Sequence, residues 1–166
     1  MRITRILIPT DFSEASDTAL AEARDLAATL GAQLRIVHVF DDPFVASAMS
    51  ADGQMVISPD LRASLMRDAD ARLRQRLATG ATRNRGEEAA LLTGPIAVSI
   101  VEDAQSHAVD LILMATHGRG GMAHLLLGSV AERVVRTAPC PVMTVRPHLP
   151  AARATGAAAS AGASHV

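Results

Sequence analysis

The run Met114-Ala115-Thr116-His117-Gly118-Arg119-Gly120-Gly121, followed by Leu127-Gly128-Ser129-Val130, joins an apolar segment to a glycine-rich loop and then to a helix start. Proteins hold phosphate with this arrangement. Glycines let backbone N–H groups approach an anion, and a helix N-terminus adds unpaired donors and the positive end of its dipole. Arg119 is the nearest fixed cation. The run is not a Walker A loop, which needs G-x-x-x-x-G-K-[ST], because it contains no lysine. Nor does a G-x-G-x-x-G follow the first strand-like segment.

A second polar group lies near the N-terminus in Ile8-Pro9-Thr10-Asp11-Phe12-Ser13. Asp11 has two readings: the N-cap of the following helix, paired with Glu14, or a carboxylate that accepts hydrogen bonds from a ribose or base. Ser129 and Glu132 likewise have capping-box spacing, which would bring a carboxylate close to any anion held at that helix start. Hydrolase chemistry by Ser129, His117 and Asp11 lacks the G-x-S-x-G elbow. His107, His117, His124 and His148 contain no i,i+4 pair of the kind that binds zinc. Cys140 is a lone cysteine, read as a small buried hydrophobe.

These residues need a scaffold, and hydrophobic periodicity supplies one. Apolar runs at residues 2–9, 33–40, 109–114 and 142–146 read as strands, and a weaker run at 87–92 carries two glutamates that suit a sheet edge. Between them, Ala19, Leu20, Ala23, Leu26, Ala27 and Leu30 repeat at helical spacing until Gly31. Leu61, Leu65, Ala69, Leu73 and Leu77 share one face of a second helix. Gly94-Pro95 opens a third, and residues 130–137 form a fourth. The alternation predicts a single-domain doubly wound α/β fold, a five-stranded parallel sheet with helices on both faces, for which the order 3-2-1-4-5 is assumed from the class. Ligands in such sheets sit beyond the carboxyl ends of the strands where the order reverses. Both polar groups are therefore expected at one crevice.

Composition narrows the partners. The chain has 166 residues and a formal net charge of -1, which offers no basic field for nucleic acid. No apolar run approaches the roughly 20 residues of a membrane helix, and the N-terminus lacks a signal-peptide h-region. A cytoplasmic protein without nucleic-acid or membrane partners is expected. Arg62, Arg67, Arg72, Arg74 and Arg76 interleave with Asp60, Asp68 and Asp70 and read as a solvated helix face. Residues 148–166, rich in Ala, Gly and Ser, are expected to form a flexible tail outside a domain of residues 1–147.

With these segments in place, the chain resembles the universal stress protein family over residues 2–147. Nucleotide-binding members carry G-x-x-G, nine residues, then G-[S/T]. Here Gly118 and Gly128-Ser129 match, and Ala115 stands in place of the first glycine. The resemblance implies ATP, with Mg or Mn, as ligand. It implies Asp11 facing the adenosine, Val39 offering its backbone to adenine, Gly118 facing the phosphates and Gly128, Ser129 and Val130 closing over them, with Pro9, Thr10, Ala115, His117 and Arg119 as the other ligand-binding positions. Base recognition would be aliphatic, in keeping with a chain that has no Trp or Tyr and three Phe. The family also implies a homodimer along the last strand, Val142–Val145, and action as a ligand-dependent regulator, with no catalytic or protein-built metal site. The alternatives are a nucleotide-free dimeric scaffold of the same fold, or a slow ATPase or phosphotransferase.

Overall fold

The computed structural model describes residues 2–41, 59–80, 86–116 and 127–146. The predicted glycine run and the tail at 148–166 lie outside them. Five strands and four helices alternate: β1 (Arg5–Pro9), α1 (Glu14–Leu30), β2 (Gln33–Phe40), α2 (Pro59–Gly80), β3 (Glu87–Thr93), α3 (Ile96–Ser106), β4 (Leu111–Ala115), α4 (Ser129–Thr137) and β5 (Val142–Val145). All pairings are parallel and the order is β3-β2-β1-β4-β5, as expected.

Strand parity divides the core. Successive side chains point to opposite faces, so Ile6, Ile8, Leu34, Ile36, Leu111 and Leu113 meet α1 and α2, while Leu7, Val37, Val39, Ile112 and Met114 meet α3 and α4. Each layer is closed largely by small helix residues, among them Ala19, Ala23 and Ala27 on one face and Ala97, Ala104 and Ala131 on the other. The alanines let helix backbones approach the bulky strands. Truncating the wholly buried Ile8 or Leu113 to alanine would cost about 2–5 kcal/mol.

β3 is the edge strand its glutamates suggested, but the two differ. The Glu87 side chain is 2% exposed and held by Arg24, whereas that of Glu88 is 62% exposed and pairs with Arg35. On α2 the expected apolar face is only partly used. Ala69 and Leu73 are buried and Leu77 packs against the core, but Leu61 and Leu65 are exposed. Helix α1 ends at Gly31, whose φ of 65° is a left-handed conformation that glycine adopts without a Cβ penalty.

Candidate functional site

At the carboxyl end of β1 the chain turns tightly. The Thr10 N–H continues the sheet by donating to the Val37 carbonyl at 2.8 Å, and the buried Thr10 hydroxyl accepts from the Phe12 N–H at 3.0 Å. The Ser16 hydroxyl donates to the Ser13 carbonyl at 2.8 Å, so the Thr10 hydroxyl is the donor in its 3.0 Å contact with Ser16. Asp11 is not the helix cap. Its Oδ1 accepts from the N–H and hydroxyl of Ser13 at 3.0 and 2.6 Å, and Ser13 caps α1 by accepting from the Ser16 N–H. The carboxylate thus orients the cap from two residues upstream.

Phe12 has φ of 65°, a region that side chains with a Cβ avoid. Its ring is buried and lies 4.1 Å from that of His38, with the Arg72 and Arg76 guanidinium carbons 4.4 and 4.8 Å from its centroid. Cation–π attraction and burial together hold the strained turn. His38 Nδ1 is 2.7 Å from the Thr10 carbonyl, an acceptor only, so this nitrogen carries a proton.

The second wall is the entrance to α4. The Gly128 N–H donates to the Thr116 carbonyl at 2.8 Å, tying the helix start to the end of β4. Gly128, not Ser129, is the cap, and among the described residues no side chain caps the helix; Ser129 is the first helical residue. The expected Ser129–Glu132 capping box does not form. Glu132 is turned outward, 61% exposed and 3.8 Å from Arg136, which leaves the first-turn donors clear of its charge.

Between the walls lies a cavity of about 840 Å³, within the range of small-molecule sites. Of the residues singled out from sequence, Pro9, Thr10 and Asp11 reach it from β1, Val39 from β2, Ala115 from β4, and Gly128, Ser129 and Val130 from α4. His117, Gly118 and Arg119 lie outside the described residues. Further lining residues were missed. Ile96, Ile100 and Met114 make one side apolar, and His38, Asp41, Leu65, Asp68 and Arg72 line it elsewhere. His38 has the parity of Leu34 and Ile36, which marks a polar side chain on a core-facing strand position. Leu65, Asp68, Ala69 and Arg72 follow the i, i+3, i+4, i+7 spacing of one helical face, so Arg72 belongs to the crevice as well as to the charged surface of α2.

A parallel sheet with its crevice between the ends of β1 and β4 defines the doubly wound class of α/β domain. The chain belongs to the universal stress protein family, whose family model matches residues 2–146. It is 34% identical over 143 residues to a universal stress protein of Methanocaldococcus jannaschii, covering 86% of this chain and 81% of that one. Universal stress protein UspA from Lactobacillus plantarum superposes with a TM-score of 0.75 at 30% identity, over 88% of this chain and 99% of the other. A universal stress protein in complex with cAMP (TM-score 0.65, 23% identity, covering 87% and 98%) has the same fold. So does one from Archaeoglobus fulgidus in complex with dAMP (TM-score 0.60, 19% identity, 87% and 98%).

Proposed function

We propose that this stress protein binds an adenine nucleotide in the crevice and acts through its ligand-bound state. The observation that carries the reading is the α4 entrance: first-turn donors free of a side-chain cap open onto the same cavity as Asp11 and the apolar side formed by Val39, Ile96 and Ile100. In this reading adenine packs on the aliphatic side, the ribose faces Asp11, and phosphate takes the donors of Gly128, Ser129 and Val130. Gly118 and Arg119 would complete the phosphate contacts. The fold relatives named with cAMP and dAMP support the choice of adenine. Among the described residues no cluster of His, Cys, Asp or Glu is arranged to hold a metal ion, so Mg or Mn would arrive as the ATP complex.

Gly128 has φ of -72° and ψ of 157°, which any residue can adopt. Gly128→Val should therefore fold and obstruct phosphate. ATP with Mg²⁺ at a hundredfold excess over Kd should raise the wild-type midpoint by about 5–10 °C and leave the variant unmoved. Absence of any shift for the wild type would favour a second reading, a nucleotide-free scaffold. Ala115 supports that reading, since this residue lines the cavity where the motif has glycine. In either case the chain would pair along the edge strand β5, where Met143 is 48% exposed; Met143→Asp should shift a dimer to monomer in sedimentation.

A further inference from the structure

A second cavity, of about 260 Å³, lies at the amino end of the sheet, and Arg5, Gln33, Arg35, Glu88 and His107 supply its polar lining. Arg5 and Gln33 open β1 and β2, and Glu88 is the second residue of β3. The four strand residues share the parity of Leu7, Val37 and Ala90, so they stand on the sheet face that α3 covers, and His107 follows the last turn of α3. Their charges are unevenly paired. Arg35 gives Nε and Nη2 to Asp103, both at 2.7 Å, and Nη1 to Glu88 at 3.0 Å, so one guanidinium serves two carboxylates. The buried Asp103 takes two of those bonds, which leaves the exposed Glu88 largely uncompensated. Arg5 is the converse. Its guanidinium gives one bond, 2.8 Å, to the His107 carbonyl and forms no ion pair among the described residues; Asp110, the nearby carboxylate, accepts from the Arg5 backbone N–H instead. The Gln33 side chain has no hydrogen-bond partner among the described residues.

We infer that this cavity is a second ligand site, for a small zwitterion of amino-acid size, whose carboxylate meets Arg5 and Gln33 on the β1 side and whose ammonium meets Glu88 on the β3 side. An ion of one sign meets a like charge as well as an opposite one across this wall, whereas a molecule carrying both signs meets an opposite charge at each end. Arg5 and Glu88 stand on strands two spacings apart, about 10 Å, a gap that their long side chains shorten. The arginine fork suits a carboxylate. His107 Nδ1 lies 2.9 Å from the Asp103 carbonyl and so carries a proton, which makes Nε2 of the neutral ring a further acceptor on the lining. The volume falls below that of drug-sized sites, which keeps the ligand small. Five residues of β1, roughly 15 Å, separate this cavity from the crevice, so the inference stands apart from the nucleotide reading.

The test is a heteronuclear NMR titration of the isotope-labelled full chain, at constant ionic strength, with glycine, β-alanine and 4-aminobutyrate, and with acetate and methylammonium as single-charge controls. At least one zwitterion should give saturable shifts of the Gln33 side-chain amide and of the Arg5 and Glu88 backbone amides, with Kd on the order of 1–10 mM, and each single ion should bind at least about fivefold more weakly. Arg5→Gln and Glu88→Gln should each weaken the zwitterion about fivefold. Both positions are exposed, so the variants should keep the unfolding midpoint within about 2 °C of the wild type. If either unfolds earlier, the single-ion controls on the wild type decide alone. Acetate binding as tightly as the zwitterions, or zwitterion binding indifferent to Glu88→Gln, would make the cavity a plain anion site and overturn the inference. So would the absence of any saturable zwitterion shift at about 100 mM, a concentration well above the expected Kd.

Discussion

Arg24 and Glu87 form a two-pronged ion pair, Nε to Oε1 and Nη2 to Oε2 both at 3.0 Å, with side chains 11% and 2% exposed. The pair bolts α1 to the edge strand β3, and the same guanidinium also donates to the Arg76 carbonyl of α2. Removing one partner leaves the other buried and uncompensated. Glu87→Ala should cost about 3–5 kcal/mol in urea denaturation, and Arg24→Met with Glu87→Leu should recover much of it. A Glu87→Ala loss below about 1 kcal/mol would mean that water replaces the carboxylate without penalty.

Phe12 allows strain to be separated from packing. Phe12→Ala loses the ring and keeps the left-handed backbone, whereas Phe12→Gly loses the same ring and relieves the backbone by about 1–2 kcal/mol. Both variants should be less stable than the wild type, with glycine the milder change. The reverse order in equilibrium unfolding would show that the turn relaxes once the ring is gone.

Acid should weaken the junction between the N-terminus and β4. The Asp110 carboxylate accepts from the N–H and hydroxyl of Thr4, both at 2.7 Å, and from the Arg5 N–H at 3.0 Å. These bonds, those of Thr4 first, hold its pKa below the ordinary carboxylate value. A lowered folded pKa means that the stabilisation is present above the unfolded pKa and lost as pH falls through the folded one. Asp110→Asn should therefore destabilise at neutral pH, and its difference from wild type should shrink as pH falls below the ordinary carboxylate range of about 4.

Burial pushes the Cys140 thiol up, which outweighs its contact with the Ile112 backbone N–H. The thiol stays protonated at neutral pH and should react slowly with iodoacetamide. Alkylation should accelerate in denaturant; equal rates for native and unfolded chain would place the sulfur in water.

The fold was legible because two periods separate cleanly in this chain. Leu34, Ile36, Leu111 and Leu113 alternate with Val37, Val39, Ile112 and Met114, and the alanines of α1 recur at helical spacing. The caps were less legible. Asp11 and Ser13 are both strong capping types two residues apart, and only the fold of the Thr10 turn decides between them. Ser129 and Glu132 have box spacing, but the bond from Gly128 to Thr116 starts the helix one residue earlier. The β1 and α4 sides of the crevice could be read from turn residues. The α2 side could not, because Asp68 and Arg72 look like ordinary surface charges until tertiary packing brings their face over Phe12.

The hydrogen bond from Gly128 to Thr116 fastens the start of α4 to the end of β4. The exit of β4 and the entry to α4 are tied to each other by main-chain atoms, so the join does not depend on which side chains stand at its two ends.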